Sequence, residues 1–154
     1  MKPGKTKRSL ICVVSTVDPT TRRVYVNDRA KGRLQVFDEN GKFLDQWEFG
    51  PGPPIDIHSI YMGSDHALWA ADEGTNKLLG YDASGRFLYS WGTYGTCSGC
   101  MWGVRGFAID SEGNLYTAEV RTGRAQKYTP RKGANPAFLV GKPWTAAKLS
   151  SSQQ

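Results

Sequence analysis

An internal repeat constrains this chain more than any other feature. The segment VYVNDRAKGRLQVFDENGKFLDQW, Val24 to Trp47, aligns without a gap on LWAADEGTNKLLGYDASGRFLYSW, Leu68 to Trp91, a shift of 44 residues. A third copy, LYTAEVRTGRAQKYTPRKG, opens 47 residues further on at Leu115 and carries extra residues before its last strand. Asp28, Asp72 and Glu119 end one strand of each copy, Arg33, Lys77 and Arg124 open the next, and Phe37, Tyr81 and Tyr128 share one place. The last strands carry Phe43 with Trp47 and Phe87 with Trp91.

Between these anchors apolar and polar residues alternate over short runs, the mark of half-buried strands. Asp18-Pro19, Asn40-Gly41, Ser84-Gly85 and Glu112-Gly113 interrupt the runs as tight turns. In the middle copy this predicts strands near 57–62, 67–72, 77–82 and 86–91. A period of 40 to 50 residues with four strands each is a propeller signature, because a twisted four-stranded blade buries both faces only between neighbours. The expected fold is all-β: three four-stranded antiparallel propeller blades, near 10–49, 55–92 and 103–143. A basic tail over 1–9 and a flexible one over 144–154 flank them.

The 18 glycines and 39% hydrophobic residues of this 154-residue chain suit short strands and many turns. No apolar run approaches the roughly 18 residues of a membrane helix, and Leu10 to Val14 is too short for a signal-peptide core, so no membrane partner is expected. Cys12, Cys97 and Cys100 are too few for a disulfide framework, which points to a reducing compartment and a cytoplasmic location. The formal charge of +6 gathers at the ends, with Lys2, Lys5, Lys7 and Arg8 at the start and nothing acidic after Glu119. Such ends meet phosphate backbones in some proteins, but solvated termini are the commoner case, and nucleic acid is the less favoured partner.

The strand ends VYVND, LWAAD and LYTAE, with YSWGTYG from Tyr89 and GRAQKYTPRKGANPAFLVGKP from Gly123, carry a family resemblance. From about Leu10 to Pro143 the chain resembles NHL-repeat β-propellers, in particular the branch of peptidyl-hydroxyglycine amidating lyases. Because those propellers usually have six blades, the resemblance implies half a ring. Three blades leave two blade faces open, and a two-fold homodimer joining the third blade of each copy to the first of the other would close six. The alternative is a fragment of a propeller whose further blades complete the ring.

In a propeller the first strand of each blade lines the central channel. His58, in IDIHSIYM, stands just before such a strand, where the resembling lyases place zinc-binding histidines. The repeat-equivalent positions hold Val14 and Arg105. A catalytic zinc usually has three protein ligands, so one histidine per chain makes His58 a metal ligand only under a lyase reading, with a hydrogen-bonded turn histidine as the plainer role. Zinc or calcium enters as a cofactor on that reading alone. Arg105 is expected to face the channel and to hold a carboxylate or phosphate, unless a neighbouring acid takes it. Tyr61 and Trp102 complete the set of channel candidates. His66, after the turn Gly63-Ser64-Asp65, is expected at the surface.

Asp28, Asp72 and Glu119 recur in every copy, so they read as turn-bonding residues rather than catalytic carboxylates. Trp47, Trp91, Tyr81 and Tyr128 read as blade-packing aromatics. Cys97-Ser98-Gly99-Cys100 lies in the loop between the second and third copies without the βαβ setting of a redox motif. It reads as a structural or incidental loop, with a labile disulfide or an adventitious metal as alternatives. The sequence favours a non-enzymatic binding module for a small anionic ligand or a protein partner. A metal-dependent lyase or hydrolase and an RNA-binding propeller are the alternatives, the latter resting on Lys127, Arg131 and Lys132.

Overall fold

The computed structural model describes residues 14–50 and 55–144. Eleven strands run through them: β1 (Val14–Asp18), β2 (Arg23–Asp28), β3 (Arg33–Phe37), β4 (Phe43–Glu48), β5 (Ile57–Met62), β6 (Leu68–Asp72), β7 (Lys77–Tyr81), β8 (Phe87–Trp91), β9 (Val104–Ile109), β10 (Leu115–Glu119) and β11 (Arg124–Tyr128). They form three antiparallel meanders in chain order, β1 to β4, β5 to β8 and β9 to β11. Two short 3-10 turns, Arg29–Lys31 and Pro136–Phe138, are the helical pieces among the described residues. The strands of the middle blade fall within a residue of their predicted bounds. Gly41, Gly85 and Gly113 take positive φ of 81°, 86° and 83°, which a hairpin turn requires and a side chain would strain. Cys12 and the basic residues at the start lie outside the described residues.

The inner strands β1, β5 and β9 stand next to one another, as the first strands of successive propeller blades should. Two apolar layers separate the blades. Tyr25, Leu34 and Val36 of the first blade pack on Ile57, Leu68, Ala70, Leu79 and Tyr81 of the second. Trp69, Ala71 and Leu78 on the other side of the second blade pack on Val104 and Leu115 of the third. Burial along the strands follows this stacking. Every residue of β6 is buried, whereas β10 alternates buried and exposed and β2 buries Tyr25 and Asn27 while Val24 and Val26 stay half-covered. The middle blade is covered on both faces, and the outer two on one each.

The third blade departs from expectation: it has three strands among the described residues, and the residues expected to make its fourth do something else. Pro136 and Pro143 lack the N–H that a strand paired to β11 would donate, and Asn135 caps a 3-10 turn instead, accepting from Ala137 N–H at 2.9 Å. The chain then crosses back over the second blade as a strap. Tyr89 Oη donates to the Leu139 carbonyl at 3.2 Å, Val140 enters the second apolar layer, Ser64 N–H donates to the Lys142 carbonyl at 2.9 Å, and Trp144 Nε1 donates to the Met62 carbonyl at 2.9 Å. Position 144, expected to begin a flexible tail, is thus anchored.

Candidate functional site

Antiparallel pairing brings the start of each inner strand beside the end of the next: Ile57 faces Asp72, and Val104 faces Glu119. Residues just after β2, β6 and β10 therefore gather with the first residues of β5 and β9 at one mouth of the channel. At this mouth the two inner strands break register in the same way. Ile57 and Ser59 pair with Asp72 and Ala71, leaving His58 unpaired. Val104 and Gly106 pair with Glu119 and Ala118, leaving Arg105 unpaired. Such bulges re-aim a side chain and are frequent beside functional sites.

The re-aimed side chains meet around Glu73. His58 Nε2 lies 2.9 Å from Glu73 Oε2 and 3.2 Å from Asp56 Oδ2, with only 5% of its side chain exposed. Ionised carboxylates only accept, so Nε2 carries the proton. Arg105 Nη2 reaches the same Glu73 oxygen at 2.9 Å, and Arg121 Nη2 takes the other at 2.8 Å. Arg29 grips Asp56 with two nitrogens, Nη2 to Oδ2 at 2.9 Å. Arg29 comes from the first blade, Asp56, His58 and Glu73 from the second, and Arg105 and Arg121 from the third, so the cluster ties all three blades at one edge.

The Arg29 hydrogen bond is the main influence holding the Asp56 carboxyl below the usual carboxylate range; burial opposes it, and the nearby His58 assists. At Glu73 burial alone would raise the carboxyl, but the hydrogen bond from Arg121 and the charges of Arg105, Arg121 and His58 outweigh it and leave it lowered. Three guanidiniums thus face two ionised carboxylates, an excess of one positive charge before His58 is counted. Although His58 Nε2 and Arg105 Nη2 each lie 2.9 Å from Glu73 Oε2, that oxygen has no partner in hydrogen-bond alignment. Arg105 and Arg121 remain 41% and 55% exposed, with donors free for a ligand.

His58 and Arg105 are brought together as the sequence suggested. Arg105 faces the mouth and is also held by an acid, so both of its expected roles coexist. Tyr61 is not part of this site. Three residues along β5 from His58, it lies roughly 10 Å away at 3.3 Å per residue, its hydroxyl donating to the Lys142 carbonyl at 3.1 Å under the strap. Trp102 is also diverted: its ring packs edge-on to Tyr94, and its N–H donates to Glu119 Oε2 at 3.2 Å. The sequence reading missed Asp56, Glu73, Arg29 and Arg121. Its usable signal was a break in the repeat, since the place after the recurring acid holds Arg29, then Glu73, then Val120.

Two of the recurring acids do the turn work expected of them, whereas Asp28 makes no side-chain cap bond to the turn and instead pairs with the Arg33 guanidinium at 3.1 Å. Asp72 accepts from the N–H groups of Asp56, Gly74 and Thr75, and Glu119 from Trp102 N–H and the Thr122 hydroxyl. His66 is partly exposed as expected, but its Nδ1 sits 2.7 Å from the fully buried Asp18, linking the first two blades at the opposite edge. Cys97 and Cys100 are joined in a disulfide, Cα atoms 5.1 Å apart. It closes the loop that presents the Cys100 carbonyl to Arg124 and Gln126. A cleft of about 690 Å³, lined by Trp91, Leu115, Tyr128 and Phe138, lies at the strap edge, away from the charged mouth.

The geometry also offers His58, Asp56 and Glu73 as a metal-binding set, one ligand atom from each lying within 4.8 Å of the others. One imidazole nitrogen with two carboxylate oxygens suits zinc better than calcium, which takes oxygen ligands, but both carboxylates are already neutralised by guanidiniums, which a cation would have to displace.

Among known structures the fold is similar to virginiamycin B lyase from Staphylococcus aureus, at 15% identity and a TM-score of 0.53 over 75% of this chain and 40% of that one. The same lyase in a catalytically inactive form with quinupristin gives 17% identity and a TM-score of 0.55, over 77% of this chain and 41% of that one. The periplasmic gluconolactonase of Pseudomonas aeruginosa gives 16% identity and a TM-score of 0.60, over 86% of this chain and 37% of that one. At these identities the likeness is one of fold, and the chain spans about two fifths of the length of each protein. No curated protein matches the chain in sequence. A model of the six-bladed β-propeller family DUF5128 matches residues 5–117. With the greater part of the chain so matched and three meanders stacked around adjacent inner strands, the protein belongs to this family of six-bladed β-propellers.

Proposed function

We propose that the channel mouth is a binding site for a small organic or inorganic anion, held by Arg105 and Arg121 with the Nε2 proton of His58 behind them, and that the chain acts as a binding module. One observation carries this reading: three guanidiniums surround two carboxylates, and the two from the third blade keep exposed donors. Planar guanidinium forks match carboxylate and phosphate oxygens, and a partly buried site strengthens each contact. Calorimetric titration with inorganic phosphate tests it. Millimolar or tighter binding is expected, weakened about tenfold in Arg105→Ala, which loses a charge-assisted hydrogen bond. Absence of heat and of chemical-shift change at millimolar phosphate would remove the reading.

A second reading is favoured by the close approach of His58, Asp56 and Glu73. A divalent metal held there would supply Lewis-acid chemistry of the kind used by lyases or hydrolases, and the sequence resemblance to amidating lyases supports it, as does the presence of a lyase and a lactonase among the structural neighbours. On this reading His58 is the neutral nitrogen ligand and the two acids supply oxygen. Zinc titration followed by elemental analysis distinguishes the two, since the anion reading needs no bound metal.

A further inference from the structure

The loop between the second and third blades is shaped by its own disulfide and gripped by β11. Cys97 and Cys100 enclose two residues, Cys97 exposed and Cys100 half-buried. The pair lies against Gly95, where a Cβ would stand 3.3 Å from Cys100 Sγ. A ring this small removes less chain entropy than a long-range disulfide does, so its weight lies in the local shape it imposes. That shape turns three backbone groups toward β11. Arg124 Nη1 donates to the Thr96 carbonyl at 2.7 Å, and Gly99 N–H donates to Gln126 Oε1 at 3.0 Å. The Cys100 carbonyl accepts from Arg124 Nη2 at 2.9 Å and from Gln126 Nε2 at 2.7 Å.

Arg124 and Gln126 also brace Glu119, Arg124 Nε donating to Oε2 at 3.2 Å and Gln126 Nε2 to Oε1. Glu119 in turn faces Val104 at the bulge that turns Arg105 out of the ladder, and it accepts the N–H of Trp102. Next along the chain, Val120 N–H donates to the Gly103 carbonyl at 3.0 Å. Arg121 lies so close over Gly103 that a Cβ there would meet its Cγ at 2.5 Å. A chain of direct contacts therefore runs from the disulfide to both arginines of the mouth.

We propose that Cys97 and Cys100 form a redox switch of the channel mouth. In the disulfide state the loop holds Arg124 and Gln126, these hold Glu119, and the bulge aims Arg105 and Arg121. In the dithiol state the loop relaxes, the Cys100 carbonyl leaves its donors, and both arginines lose their fixed aim. The consequence for affinity rests on the anion reading of the mouth. The partner is a small or protein-borne dithiol, and exposure makes Cys97 the point of attack. A thiolate of the reductant bonds to Cys97 Sγ, the Cys97–Cys100 bond breaks, and its electron pair leaves on Cys100 Sγ, which takes a proton. The reductant's second thiol then displaces Cys97 and closes the reductant's own disulfide, so two electrons and two protons pass to the protein. The Arg124 guanidinium at the Cys100 carbonyl favours the departing thiolate.

Two readouts on the same protein test the switch: calorimetric titration with inorganic phosphate, and hydrogen exchange of the Val120 amide. One sample is oxidised with glutathione disulfide and freed of it. The other is kept in dithiothreitol, which is uncharged and does not compete for the mouth. With three cysteines and one bond between two of them, thiol titration should find one free thiol in the first and three in the second. Reduction is expected to weaken phosphate binding about fivefold, a usual size for coupling between sites, and to speed Val120 exchange. The double variant Cys97→Ser with Cys100→Ser should match the reduced protein and ignore dithiothreitol. Gln126→Ala, with the disulfide intact and the far-UV circular dichroism unchanged, should lower the oxidised affinity and remove most of the redox response. Equal affinity and equal Val120 exchange in the two states overturn the proposal, as does a thiol count that stays at three after oxidation. If phosphate binds neither form while Val120 exchange still responds, the anion reading falls and the switch stands.

Discussion

The indole of Trp91, on the last strand of the second blade, meets the Tyr128 ring of the third edge-on, with centroids 4.9 Å apart and planes at 89°. Trp47 and Tyr81 meet at the equivalent place one blade earlier, with centroids 5.3 Å apart and planes tilted at 35°. Each blade thus passes an aromatic ring to its successor, and these contacts hold the outer parts of the stack together where the strands themselves are exposed.

Removing one such ring separates the blades locally. Trp91→Ala is expected to destabilise the protein by about 3 kcal/mol, the lower end of the range for large aromatic deletions because the ring is only half-buried. Phe43→Ala, at an exposed position on the fourth strand of the first blade, is expected to cost less than about 1 kcal/mol. Urea unfolding monitored by circular dichroism measures both, and equal effects would contradict the role given to the tryptophan.

Glu73→Gln separates the two readings of the channel mouth by sign. It removes the carboxylate that occupies Arg105 and Arg121, so phosphate is expected to bind about tenfold more tightly, in line with a change of roughly 1.4 kcal/mol. Zinc, which needs that oxygen, is expected to lose affinity. Parallel titrations of the variant and the parent read out both.

The carboxylates of the mouth give the fold an acid limit. Asp56 and Glu73 both have folded pKa values below their ordinary values of 3.8 and 4.5. Groups shifted down contribute stability that is fully present above the unfolded value and lost as pH falls through the folded one. The urea midpoint should therefore stay level for these groups from neutrality to about pH 5 and decline below it. Glu73→Gln should flatten part of that decline at the expense of stability at neutral pH.

Tyr61→Phe tests the correction to the sequence reading. Losing the hydrogen bond to the Lys142 carbonyl should cost about 1 kcal/mol and leave phosphate binding unchanged. A binding defect would return Tyr61 to the site.

The blades were legible in the sequence because an alternating strand pattern repeated at a nearly constant shift leaves few other folds open, and the strands of the middle copy fell where the pattern put them. The fourth strand of the third blade was not legible. The repeat predicted it, but Pro136 and Pro143 remove ladder donors, and the strap contacts at Val140, Lys142 and Trp144 are long-range and leave no local pattern. The site was half legible: His58 and Arg105 could be found as repeat-equivalent positions that differ in chemistry, whereas Glu73 and Arg121 gain their meaning only from the bulges that turn His58 and Arg105 toward them. Tyr61 was read from its place on an inner strand, and its contact with the Lys142 carbonyl is long-range and leaves no local signal.

Among the described residues, burial covers both faces of the middle blade and one face of each neighbour, so within this three-blade stack the outer blades are held by fewer contacts. A linear array whose stability lies in the contacts between units loosens from its ends, since an end unit breaks one contact to open and a central unit breaks two. Amide exchange should accordingly be slowest in β6 and become faster outward into β2 and β10. At the mouth, Arg105 and Arg121 stand on an end blade and His58 on the central one. Local opening of the third blade would carry both arginines away from a histidine that stays in place.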